Sequence, residues 1–417
     1  MPLLGVIADD FTGATDISSF LTENGLSVIQ INGDYLSSIK IKKQIDAVVI
    51  SLKTRSCPVK EAVNSSLIGL KWLKELGIQK YYFKYCSTFD STDKGNIGQV
   101  ADAMLKELGE TQTIICPSLP VNKRTVYNGY LFIGEKLLHE SHMKNHPLNP
   151  MTDSSIVRMM ARQSRHRVSL INLMTLHSGK DVLDACIKEL DSENYVVIDA
   201  LTDGDLDIIA ETFWNRMNLF TGGSGLGGAI ARHLNKNKKN RATFTPPNNQ
   251  TAIISGSCSN ATLEQICYYQ NYAPSCPIKL LEYILNPDKY IDNLIQWYKN
   301  NNDGPYAPLI YAGEEKADIE KIQKKLGLEN TQDYFEKLIS SLTGKLAFIG
   351  VKNYIIAGGE TSGVAARELR IKGFYIGIQI APGVPWVKSM ESDYYLALKS
   401  GNFGDKAFFK TAQEFYL

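Results

Sequence analysis

The 417-residue chain has no charge of one sign to spare, since Lys plus Arg number 45 and Asp plus Glu 44. No global field therefore draws it to nucleic acid or to an anionic membrane. Its seven cysteines, at 57, 86, 116, 186, 258, 267 and 276, include no CxxC pair. That excludes a disulfide frame or a cysteine-based zinc site and reads as free thiols in a reducing compartment. No apolar run approaches the length of a membrane span. The first residues carry no basic stretch ahead of their short apolar run, unlike a secretory signal. A cytoplasmic protein with no membrane partner is the expectation. Internal repeats and low-complexity tracts are missing as well. The remaining composition, 44% hydrophobic and 21% charged, is that of an ordinary globular protein with room for two or three domains.

What is present is a rhythm. Short apolar runs at 3–8, 47–52, 81–84, 113–116 and 195–200 each lead into a loop rich in small or polar residues. Amphipathic stretches such as 59–76 and 96–108 lie between them, and the alternation resumes at 251–255, 308–311 and 354–357. Alternation of this kind predicts an α/β protein with mainly parallel sheets flanked by helices. Residues 235–250, NKNKKNRATFTPPNNQ, break the pattern. Their double proline forbids helix and sheet interior, so they read as a linker. Two domains follow, 1–240 and 241–417, with a ligand cleft expected between them.

The most informative stretch is LLGVIADDFTGATD at 3–16. An apolar strand breaks at Asp9-Asp10, and a helical pattern starts a few residues later. Two adjacent carboxylates thus stand at a strand-to-helix turn, where α/β folds bind ligands. Helix capping explains one acid but not Asp9, Asp10 and Asp16 around a Thr-Gly. Arg55 and Lys84 each follow an apolar strand and lie near Ser56, Ser87, Ser91 and Thr92. A small hydroxy acid needs a cation for its carboxylate and short polar groups for its hydroxyls. Asn122, Lys123 and Arg124 in PVNKRTVYNGY can add to the same pocket. His139, His142 and His146 have spacings that could share a helical face as metal ligands. The nearby Pro147 and Pro150 favour a polar turn instead.

Phosphates need close backbone N–H donors, hence glycine and serine ahead of a helix. GGETSG at 358–363 and SGSCS at 255–259 both meet that need after a strand, and KSGNFG at 399–404 adds a flexible turn. The glycines of 358–363 have P-loop spacing, but Val364-Ala365 stands where a P-loop has Lys and Ser or Thr. GGSGLGG at 222–228 contains the dinucleotide pattern G-x-G-x-x-G, yet no acid follows it before Glu264. A dinucleotide site wants such an acid for the ribose. Carboxylates in one half and phosphate cradles in the other suggest phosphoryl transfer.

ADDFTGATD at 8–16, YFKYCSTFDST at 82–92, SGSCS, GGETS and LKSGNFG, in that order along nearly the whole chain, resemble the signatures of the four-carbon acid sugar kinases. GNIG at 95–98 and APGVPW at 381–386 are similar to the branch acting on 3-oxo-tetronate. The resemblance implies ATP-dependent phosphorylation of O4 of a four-carbon sugar acid, 3-dehydro-erythronate, with Mg2+ accompanying ATP. It implies a sugar-acid pocket of Asp9, Asp10, Thr12, Arg55, Lys84, Ser91 and Thr92 in residues 1–240. It places ATP in residues 241–417, at Ser257, Gly358, Gly359, Glu360, Thr361 and Gly401, with Ser255 close by. Asp10 is the preferred general base, with Asp9 orienting it or a magnesium ion; the metal ligands are unknown. D-threonate or D-erythronate as substrate is the near alternative. An NADP-dependent oxidoreductase using GGSGLGG is the rival of another class, and a non-catalytic sugar-acid sensor a third reading. The partners are small molecules, and assembly into a homo-oligomer is left open.

Overall fold

The structure, a computed structural model, describes residues 2–39, 41, 45–89, 95–145, 149–190, 194–235, 244–313 and 328–417. The chain forms two compact units, Met1–Ala242 and Thr243–Leu417.

The first unit contains strands β1 (Leu4–Ala8), β2 (Val28–Asn32), β3 (Ala47–Ser51), β4 (Tyr81–Lys84), β5 (Thr113–Cys116), β6 (Arg124–Tyr127), β7 (Tyr130–Ile133), β8 (Lys136–Leu137), β9 (Arg167–Ile171), β10 (Asn194–Ile198) and β11 (Leu219–Gly222). Eight of them form a sheet in the order β2-β3-β1-β4-β11-β5-β10-β9, every pair parallel. All five residues of β1 and of β3 are buried. Such strands are covered on both faces, which is why they read as unbroken Val, Ile and Leu. β1 lies between β3 and β4, with Ala8 opposite both Ser51 and Lys84. The chain leaves β1 for β2 on one side and later places β4 on the other, so the carboxyl end of β1 is a topological switch point.

The alternating pattern does not announce β6, β7 and β8, which form a separate antiparallel sheet. Apart from the buried Val126 and Leu131, their residues are exposed or partly buried, unlike the fully buried run that marks a central strand. The signal is the Asn128-Gly129 pair, both with positive φ (50° and 73°). Two left-handed residues in a two-residue turn make a type I′ hairpin, and Asn-Gly is its favoured sequence.

The second unit contains β12 (Thr251–Ser255), β13 (Ser275–Ile278), β14 (Leu309–Ala312), β15 (Asn353–Ala357), β16 (Gly373–Ala381), β17 (Val384–Ser389) and β18 (Tyr395–Lys399). Their order is β13-β14-β12-β15-β18-β17-β16. Pairing is parallel from β13 to β18 and antiparallel across β18, β17 and β16. The three antiparallel strands are a further element that the strand–helix rhythm does not show. Trp386 of β17 is fully buried beside Ile253, Phe408 and Phe409, and its Nε1 donates to Ala412 O at 3.0 Å.

Residues 236–243 of the expected linker lie outside the described residues. From 244 to 250 no regular element forms, yet Phe244 packs on the core of this unit and its carbonyl accepts from Ile378 N at 2.9 Å. That part of the segment is fastened to the second unit instead of being a solvated tether. No helix among the described residues is long and apolar enough to cross a membrane.

Candidate functional site

At the β1 switch point the structure assembles three acids and three bases. Asp9 follows β1 directly and is buried. The Arg55 guanidinium grips it in a fork, Nε to Oδ2 at 3.0 Å and Nη2 to Oδ1 at 2.8 Å. Arg55 Nη2 also reaches Asp10 Oδ1 at 2.6 Å. The backbone helps hold this register, because Thr54 N and Arg55 N both donate to Asp9 O. Asn96, in GNIG, is buried and its Nδ2 donates to Thr54 O (2.7 Å) and Cys57 O (2.9 Å). One amide therefore fixes the loop that carries Arg55.

Asp10 is the N-cap of the helix Phe11–Glu23. Its Oδ1 accepts from Gly13 N at 3.0 Å and its Oδ2 from Thr12 Oγ1 at 2.8 Å. Burial pushes the Asp9 carboxyl above the usual carboxylate range, and Arg55 only partly opposes this. Burial acts on Asp10 too, but Arg55 and Lys84 outweigh it and hold that carboxyl below its ordinary value. The adjacent acids are thus pulled apart. Asp10, with a quarter of its side chain exposed against 6% for Asp9, is the more accessible one.

The sequence marks Asp16 as a third acid at this turn without giving it a role in the site, and it does not mark Ser224. Asp16 is buried on the same helix, its Oδ2 3.6 Å from Lys84 Nζ and bonded by Ser224 Oγ. Its Oδ1 has no partner among the described residues, and burial raises its pKa. The available signal is that an acid on the buried face of a helix needs a partner. Ser224 belongs to GGSGLGG, whose glycines serve packing. A Cβ on Gly225 would stand 2.6 Å from Ser118 O, and one on Gly227 2.9 Å from Ile17.

Lys84 also donates to Tyr85 O at 2.9 Å. Arg124, at the start of β6, donates through Nη1 to Asn122 O. Its Nε is buried with no partner among the described residues. Burial lowers the Arg124 pKa, countered by Cys86 and Asp16, and Cys86 also acts on Arg55. Arg124 therefore belongs to the same cluster, although β6 is outside the main sheet. Ser91, Thr92 and His146 lie outside the described residues. His139 Nδ1 is 2.7 Å from Ser154 Oγ. Among the described residues no group of three or more His, Cys, Asp or Glu could hold a metal ion.

In the second unit β12, β15 and β18 lie side by side, so the loops leaving their carboxyl ends converge. Gly256 N and Ser257 N both donate to Ala357 O, and Gly358 N donates to Lys399 O at 2.9 Å. Ser259 caps the helix Asn260–Tyr269 and donates through Oγ to Gly401 O at 2.7 Å. Thr262 Oγ1 lies 3.1 Å from Ser257 Oγ and donates to Gly401 O at 2.8 Å. Gly358 has φ of 123°, a backbone that a side chain would strain. A Cβ on Gly256 would collide with Thr361 Oγ1, and one on Gly401 would stand 2.6 Å from Ser257 Oγ. Gly359 and Glu360 open the helix Gly359–Glu368, and Thr361 is buried behind them. The hydroxyl of Ser255 is buried without a partner among the described residues. Closely apposed loops and two helix N-termini form an anion cradle of the phosphate-binding kind.

Two sites at the ends of parallel strands, one acidic and cationic and one made of glycine and hydroxyls, mark an α/β chain with a pocket suited to a small polar ligand on one unit and a cradle suited to an anion on the other. Residues 4–230 match the sugar-binding N-terminal domain and residues 252–409 the nucleotide-binding C-terminal domain. The chain belongs to the four-carbon acid sugar kinase family. A 3-oxo-tetronate kinase of Haemophilus influenzae is 48% identical over 417 residues, covering 100% of both chains. One of Salmonella typhimurium is 45% identical over 98% of each chain. A solved Haemophilus influenzae structure superposes with a TM-score of 0.81 at 47% identity, covering 99% of this chain and 100% of the other. A Salmonella typhimurium structure, described as that of a tRNA synthase, gives 0.90 at 45% identity, covering 100% of both chains.

Proposed function

We propose that the chain transfers the γ-phosphoryl group of ATP to O4 of 3-oxo-tetronate (3-dehydro-erythronate). The observation that carries this reading is the carboxylate pair locked by Arg55 at the switch point, in a chain whose curated relatives are named 3-oxo-tetronate kinases. The near-neutral charge balance speaks against a tRNA-binding role, which calls for a basic surface. Residues 1–240 hold the sugar acid and 241–417 the nucleotide in this reading, and a cytoplasmic location fits it.

Asp10 takes the proton from the O4 hydroxyl as the O4–phosphorus bond forms and the bond to the ADP oxygen breaks. Its low pKa suits the task, because a loose phosphoryl-transfer transition state asks for little base strength and the base must start ionised. Asp9 anchors Arg55, and Thr12 orients Asp10. Of Arg55, Lys84 and Arg124, only Arg124 has no acid within ion-pair distance among the described residues. Its guanidinium is therefore the group to receive the substrate carboxylate. The family resemblance assigns Ser91 and Thr92 to the sugar acid as well.

ATP phosphates lie against Ser257, Gly358, Gly359, Thr361 and Gly401, with Ser255 beneath. Magnesium would arrive with the nucleotide, which supplies most of its ligands together with water. The protein often adds only one or two carboxylates, and Glu360, exposed at a helix start in the cradle, is of that type. The ion would neutralise charge on the transferring phosphoryl group.

The test is ADP release with Mg-ATP and 3-dehydro-erythronate, D-threonate, D-erythronate or L-threonate. Turnover on the 3-oxo acid alone supports the assignment, preference for a reduced acid moves the substrate, and no turnover on any overturns it. Within the cradle, Gly256→Ala should weaken ADP binding at least about tenfold, equivalent to about 1.4 kcal/mol. Its Cβ displaces Thr361 and meets Phe335 at 2.9 Å. Calorimetric titration with ADP reads this directly.

A further inference from the structure

Lys399 ends β18 directly beneath the nucleotide cradle, and its side chain is fully buried. Its Nζ makes three hydrogen bonds, to Thr262 Oγ1 at 3.0 Å, Ser400 O at 3.0 Å and Gly401 O at 3.1 Å. Three acceptors around one nitrogen match the three donors of an ammonium; a neutral amine has two donors and a lone pair. Yet no carboxylate lies within ion-pair distance of Lys399 among the described residues. The groups packed on it are Thr262 of the helix Asn260–Tyr269, the Ser400 and Gly401 carbonyls, and the Phe408 ring, 5.9 Å away. Cys258, nearby in sequence on the adjoining loop, is an exposed thiol whose pKa desolvation raises. A buried cation without a counter-ion is costly, and burial lowers this ammonium to about 7. The geometry asks for the charged form while the surroundings work against it. An anion seated on the cradle would resolve that conflict.

We infer that Lys399 is the fixed counter-charge for the nucleotide's phosphates, a positioning residue acting through Thr262, Ser400 and Gly401 in place of the P-loop lysine this chain lacks. Its own donors are spent on the protein, so it does not touch the phosphates. It clamps the Gly401 carbonyl that Ser259 and Thr262 also hold and adds a positive charge below the loop. The inference rests on the nucleotide reading of this unit. It carries a proton linkage: seating the phosphates raises the Lys399 pKa, so above pH 7 nucleotide binding takes up a proton.

The experiment is calorimetric titration of the full chain with ADP at pH 8.0, in buffers of different ionisation enthalpy. At that pH the phosphates of ADP are already ionised, so uptake reports a protein group. The wild-type chain should take up a substantial fraction of a proton, and its ADP affinity should fall as pH rises from 7 to 9. Lys399→Met should bind ADP at least tenfold more weakly, show no uptake and have a flat pH profile. ADP binding by the wild type without uptake, or unchanged uptake in Lys399→Met, would overturn the inference and leave the nucleotide reading standing. Absence of ADP binding by the wild type would overturn both. If Lys399→Met does not fold, the wild-type uptake and pH profile still decide.

Discussion

Asp10→Asn should lower kcat about 100- to 10,000-fold, the usual size of a general-base contribution, while leaving ADP affinity close to wild type; the charge that pairs with Arg55 is lost, and with it the stability it contributes. The helix cap survives. Asp10 Oδ1 accepts from Gly13 N and Oδ2 from Thr12, and asparagine caps helices about as well as aspartate. One amide oxygen can still accept from Gly13, so the helix Phe11–Glu23 keeps its start. What disappears is the lone pair able to take a proton from the acceptor hydroxyl. Asp10→Ala is the informative companion, because it removes base and cap together. It should cost about 1 kcal/mol more stability than Asp10→Asn, with the same loss of turnover. Asp9→Asn differs again: its carboxylate is forked by Arg55 and not offered to solvent. That change should raise KM for the sugar acid more than it lowers kcat. Steady-state kinetics with saturating Mg-ATP separate these outcomes. Turnover of Asp10→Asn within tenfold of wild type would remove Asp10 from the base role and turn attention to Asp16, a neighbouring carboxyl raised by burial.

The legible parts of this fold are those where one local rule decides. Thr113–Cys116 and Thr251–Ser255 are short, apolar and fully buried, and their sequence limits are their structural limits. The hairpins at β6–β8 and β16–β17 obey a different rule, in which two antiparallel strands joined by a short turn need no helix between them, and a search for strand–helix alternation passes over them. The site divides along the same line. Asp9 and Asp10 stand out because two adjacent acids at a strand end violate the local expectation. Their union with Arg55 and Lys84 depends on β1 lying between β3 and β4, a matter of strand order. Asp16 and Ser224, 208 positions apart, meet only through packing of their two helices. Asn96 illustrates the remaining class, an ordinary polar residue whose role is to hold three backbone carbonyls of a loop some 40 residues away.

Arg55→Met should destabilise the first unit by about 3 kcal/mol at pH 7.5, the low end of what removing one partner of a buried ion pair costs. Methionine keeps most of the side-chain volume, so the loss is one of charge and hydrogen bonds. The guanidinium fork on Asp9 and the bond to Asp10 go together, leaving two adjacent carboxylates with only Lys84 opposing them. The pH dependence distinguishes this from lost packing. In the wild type the depressed Asp10 contributes stability above its unfolded pKa of about 3.9, lost as pH falls through its lower folded value. In Arg55→Met both carboxyls should lie above their unfolded values. A raised carboxyl penalises folding above its folded pKa, and the penalty is relieved as pH falls through it. The stability gap between wild type and variant should therefore narrow from pH 7.5 to pH 4.5. Urea denaturation of both proteins at the two pH values measures it. A gap of equal size at pH 4.5 would assign Arg55 a packing role. The pair can be isolated with Arg55→Met combined with Asp9→Asn, which takes away one of the stranded charges. At pH 7.5 that double variant should be more stable than Arg55→Met alone, a non-additivity expected only of groups in direct contact.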